Sequence, residues 1–104
     1  MDRIAQFKKF ADARPDDPFP RYALALEYRS AGDAPAAIAE LTLLTQRAPT
    51  YVPAYLMLGQ LLEAAGRPDD AKSTYRAGQQ QARAQHNTHA LSELTSSLAQ
   101  LGEA

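Results

Sequence analysis

Leu24-Ala25-Leu26-Glu27-Tyr28-Arg29-Ser30-Ala31-Gly32 comes back 34 residues later as Leu58-Gly59-Gln60-Leu61-Leu62-Glu63-Ala64-Ala65-Gly66. Both stretches have a leucine followed by a small residue, a bulky apolar side chain four positions on, and Ala-Gly as a stop. Outward from them, Ala37 pairs with Ala71 and Leu41 with Tyr75, while one period earlier Phe7 stands in the place of Leu41 and Pro15 in that of Pro49. Self-similarity at a fixed period of this size marks a repeat architecture, in which each unit buries its apolar side only against its neighbours.

Each unit reads as two helices joined by a tight turn. The first helices are expected over about 18–31 and 52–65, closed by Gly32 and Gly66, which reach the left-handed conformation at little steric cost. Asp33 caps the following helix, and Pro68 with Asp69 and Asp70 suits a helix start, because negative charge there complements the dipole. Asp17-Pro18 is a similar start signal, and Thr50 is the expected cap of the helix entering at Val52 and Pro53. The second helices are expected to end near Ala48 and Ala82. Ala25 with Ala37, and Gly59 with Ala71, are small where helices cross, while Leu24, Tyr28, Leu41, Leu58, Leu62 and Tyr75 fill the layer between.

The leucines at 91, 94, 98 and 101 form one helical stripe over 88–101, read as a polar-faced cap and alternatively as a dimerisation seam. Ile4, Phe7, Phe10 and Ala11 form the expected inward stripe of the first helix, giving about six helices. One domain is expected over 1–104: a half repeat at 1–15, repeats at 18–49 and 52–83, and a capping helix at 87–102.

Composition agrees with this reading. Of 104 residues, 21 are Ala and 13 Leu against 2 Ile and 1 Val, which favours an all-α chain over one with strands. A net charge of −1 is too balanced to supply the phosphate neutralisation that nucleic-acid affinity rests on. With no cysteine there is neither disulfide nor thiolate chemistry. No stretch reads as a signal peptide or a membrane span, so a cytoplasmic protein without membrane or nucleic-acid partners is expected.

In Leu24-Ala25-x-x-Tyr28 with Gly32-Asp33, Ala37-Ile38, Leu41 and Pro49, then Tyr55-x-x-Leu58-Gly59 with Gly66, Ala71 and Tyr75, the chain resembles the tetratricopeptide repeat family. Arg21 departs from the pattern, standing where the family favours an aromatic, and Phe10 and Leu44 stand where it favours a small residue. The equivalent residue of the second unit is Gly78, a costly choice inside a helix that signals a close helix approach. The resemblance implies an all-α helical-repeat array, a right-handed superhelix whose first helices line a concave groove. The groove-facing residues are then Phe19, Tyr22, Leu26 and Arg29, with Pro53, Leu56, Gln60 and Glu63. Some family members grip a C-terminal carboxylate with Lys and Asn in that groove. This chain offers mainly apolar walls edged by Arg29 and Glu63, better suited to a peptide or amphipathic helix of another protein.

Chemistry has no visible residues. His86, His89 and Glu93 have the spacing of a shared face, but read as ordinary polar residues of a loop-to-helix junction rather than metal ligands. Asp16-Asp17 and Asp69-Asp70 read as helix starts, not acid-base dyads. The expectation is a non-catalytic adaptor or scaffold without cofactor, with self-association into a homo-oligomer, through the groove or the leucine stripe, as the other reading.

Overall fold

The computed structural model describes residues 2–102, and its helices among these residues are six: α1 (Arg3–Ala13), α2 (Pro18–Ser30), α3 (Ala34–Arg47), α4 (Pro53–Ala64), α5 (Pro68–Ala84) and α6 (Thr88–Gln100). No strand occurs among the described residues. Contacts divide the chain between Pro49 and Thr50 into two compact units.

In the N-terminal unit α2 packs on both α1 and α3. Asp17 caps α2 by accepting from the Phe19 N–H at 3.0 Å, and Pro18 opens the first turn, where its missing N–H costs nothing. Gly32, at φ +80°, ends the helix: its N–H donates to the Arg29 carbonyl and that of Asp33 to the Tyr28 carbonyl, which satisfies two orphan acceptors. Asp33 then caps α3 through its side chain, accepting from the Ala36 N–H at 3.1 Å. One residue closes a helix and opens the next. The core here is Ala23, Leu24, Ala25, Ala37, Leu41 and Leu44, with Ala11 of α1.

The C-terminal unit repeats that plan with α4 and α5 and adds α6 on α5. Gly66, at φ +76°, closes α4 with the same pair of bonds, Gly66 N–H to Glu63 and Arg67 N–H to Leu62. Thr50, however, does not cap α4; Val52 holds that position without a side-chain bond, and Pro53 supplies the start signal alone. α5 also runs two residues past the expected Ala82. Its left-handed closing residue is His86, at φ +56°, with the Asn87 N–H on the Ala82 carbonyl at 2.8 Å. Asn87 caps α6 by accepting from the Ala90 N–H at 3.1 Å.

Two glycines in this unit are there for space. A Cβ on Gly59 would stand 2.6 Å from Cζ and 2.7 Å from Cδ1 of Tyr75, and one on Gly78 would stand 2.7 Å from the Tyr55 Cβ and 3.1 Å from a methyl of Leu94. Gly78 is therefore where α4 and α6 both close on α5, which answers its cost to the helix. Leu94 and Leu98 of the terminal stripe are buried, and Leu91 and Leu101 half-buried.

Candidate functional site

On α2 the residues three, four and three apart, Phe19, Tyr22, Leu26 and Arg29, follow one another along one side of the helix, away from the buried Leu24. Phe19 and Arg29 are exposed, and Tyr22 and Leu26 half-buried. Burial pushes the Tyr22 hydroxyl above the usual phenol range, and the Arg29 charge partly offsets this. The α2 wall thus offers apolar surface with one cation at its C-terminal end.

The corresponding positions of α4 are less apolar. Leu56 is half-buried, while Pro53 and Gln60 are exposed. Glu63 accepts a hydrogen bond from the Tyr75 hydroxyl of α5. Its carboxylate is committed to the fold of its own unit as well as available at the surface, which the sequence did not signal. Tyr75 is fully buried, and its pKa is raised first by that burial and then by the bond and charge of Glu63, with Ser97 acting weakly in the other direction.

Phe10 departs from the expected inward stripe of α1: it is 55% exposed, against 2% for Ala11. The reason is that α1 packs on α2, which buries only the stripe through Ala11, with Ile4 and Phe7 at its margin. Phe10 instead meets Phe7 edge-on at 6.2 Å between ring centroids. These two rings, with Arg14, Asp17, Phe19 and Pro20, line a shallow cleft of about 300 Å³ between the C-terminal half of α1 and the start of α2. Phe19 thus belongs to an aromatic cluster, not to the α2 wall alone.

A second cleft of the same unit, about 420 Å³, is lined by Arg21 with Pro15, Pro18, Leu44 and Arg47. Arg21 turns inward and donates to Glu40 of α3 at 2.6 Å, with both side chains largely buried. Leu44 lines this cleft with Arg21, the two standing one period before Gly78 and Tyr55, which come close in the other unit.

His89 lies 3.3 Å from Glu93 on an exposed face of α6, and His86 sits in the preceding turn. Among the described residues no three metal-ligating side chains come together, and no helix is long and apolar enough to cross a membrane.

With two helix pairs of equal plan, the first helix of each closed by glycine and small residues at the crossing, the chain is a helical-repeat protein. Residues 28–101 match the tetratricopeptide repeat family. The chain belongs to that family. The crystal structure of a tetratricopeptide repeat domain protein from Salinibacter ruber is similar at 40% identity and a TM-score of 0.79, over 83% of this chain and 96% of that one. A solution structure of a Bordetella parapertussis protein shares the fold at 22% identity and a TM-score of 0.80, over 98% of this chain and 89% of that one. The crystal structure of MamA does so at 20% identity and 0.67, over 94% and 64%. No curated protein is matched by the sequence. Proteins of this fold generally mediate protein–protein interaction or scaffolding.

Proposed function

We propose that this chain is a non-catalytic adaptor that holds a segment of another protein, a peptide or an amphipathic helix, on the walls formed by its first-type helices. The residues that carry it are Phe19, Tyr22, Leu26 and Arg29 of α2 and Leu56, Gln60 and Glu63 of α4. The supporting observation is the α2 wall itself, where Phe19, Tyr22 and Leu26 keep apolar surface in contact with solvent; contiguous apolar surface on a soluble chain marks contact sites. Apolar side chains inserted along such a wall would supply most of the affinity, with Arg29 selecting for a nearby carboxylate. A protein without cysteine suits a reducing compartment, and the cytoplasm is our assignment.

Affinity capture from native lysate tests the reading, comparing the wild type with the double variant Tyr22→Ala, Leu56→Ala. Capture should disappear while far-ultraviolet circular dichroism stays nearly unchanged; partners retained by the folded variant would refute it. Leu26→Glu, which places a charge on the wall without opening a cavity, is the second variant should the first lose helicity.

A further inference from the structure

The internal repeat shows what normally covers the site that the aromatic cleft occupies. Phe7 is one period before Leu41 and two before Tyr75, both 0% exposed, and Phe10 is equivalent to Leu44, 2% exposed, and to buried Gly78. On α1 the same two positions are half-buried and 55% exposed. A helix is the wrong occupant. The crossing positions Ala37 and Ala71, each 0% exposed, correspond to Arg3, whose guanidinium lies over the Phe7 ring and is paired with Glu27 at 2.8 Å. A helix could approach as closely as α2 approaches α3 only by displacing that pair. What stays open is the Phe10–Phe19 end, roomy enough for a side chain or two. The lining carries one charge of each sign, and the two are differently engaged. Asp17 already caps α2 with a carboxylate oxygen, whereas the Arg14 guanidinium has no ion-pair partner among the described residues.

We propose that this cleft is a docking site that shares Phe19 with the α2 wall but not Tyr22, Leu26 or the α4 residues, and which takes one bulky apolar side chain from an extended segment of a partner protein while an adjacent carboxylate of that segment pairs with Arg14. Aromatic rings present both faces and edges to such a side chain, and the Arg14 fork recognises a carboxylate in two-point fashion.

Nuclear magnetic resonance of the whole chain tests this with two capped pentapeptides, Gly-Glu-Phe-Glu-Gly and its counterpart with lysines in place of the glutamates. The acidic peptide should give saturable shifts centred on Phe7, Phe10, Arg14 and Phe19, with a Kd on the order of 1 mM, and the basic one should not. Phe10→Ala, at an exposed position, should keep the fold and weaken binding about tenfold. Arg14→Glu should invert the preference between the peptides. The double variant of Tyr22 and Leu56 should bind as the wild type does, so that failure here and failure of the adaptor reading are told apart. The proposal is overturned by absence of saturable shifts, by equal binding of both peptides, or by indifference to Phe10→Ala. Shifts centred on Tyr22 and Leu26, shifts that depend on protein concentration alone, or tighter binding of a helical peptide with the α4 sequence would overturn it too.

Discussion

Gly59→Ala is the substitution on which the packing scheme stakes most. In an exposed helix it would stabilise by about 1 kcal/mol, because alanine loses less conformational freedom. Here the new methyl would meet Tyr75 at 2.6 and 2.7 Å, and that ring is fully buried and bonded to Glu63, with nowhere to turn. Overpacking of this kind costs about 1–3 kcal/mol. Loss of the tyrosine's hydrogen bond adds about 1 kcal/mol. The net destabilisation is then roughly 1–3 kcal/mol after the propensity gain, a fall in melting temperature of about 5–15 °C for a chain of this size. The N-terminal unit suggests the rescue, since the equivalent pair there is Ala25 with Leu41, both buried. Tyr75→Leu in the Gly59→Ala background should recover most of the loss in a thermal scan followed by circular dichroism. A single variant as stable as the wild type, or a double variant less stable than the single, would refute the reasoning.

Three further outcomes are expected. His86→Gly should raise the melting temperature, by about 0.5–1 kcal/mol in stability, because the left-handed turn at φ +56° strains an L residue; a fall would show that the imidazole makes a needed contact. Arg21→Ala should lower stability by about 1–2 kcal/mol in urea titrations, between the values for exposed and buried pairs, because Glu40 loses its partner in a largely buried position. The pKa of Tyr75 is raised in the fold, so the unfolded chain releases its proton first; stability should be complete below about pH 10 and fall as pH rises through the folded value. Absorbance at the tyrosinate band should show its ionisation coinciding with unfolding, and Tyr75→Phe should remove that part of the slope.

The helix plan was legible because it is written in local chemistry. Gly32 and Gly66 end helices for a reason that needs no tertiary context, and Asp17, Asp33, Pro18 and Pro68 start them for another. Where that chemistry is absent the reading slipped: α5 ends at a histidine in the left-handed region, so nothing near Ala82 announced its last turn, and Thr50 looked like a cap beside a helix that proline starts unaided. The close approach at Gly78 was readable as a cost that required a neighbour, though not that Tyr55 and Leu94 would both be there. Along α2 the period alone picks out the side with Phe19, Tyr22 and Leu26. That Phe10 and Phe19 line one cleft was not readable, because it depends on the turn between α1 and α2. The Tyr75–Glu63 bond likewise joins residues of two helices whose rotation about their axes sequence spacing leaves open.

The central claim, that the α2 wall receives another protein, is tested most directly by a photoreactive phenylalanine analogue in place of Tyr22, with a control at exposed Gln80 of α5. Irradiation in native lysate should yield a discrete cross-linked species of another protein from position 22 and none from position 80. Equal labelling from the two positions, or cross-links from position 22 to a second copy of this chain alone, would contradict it.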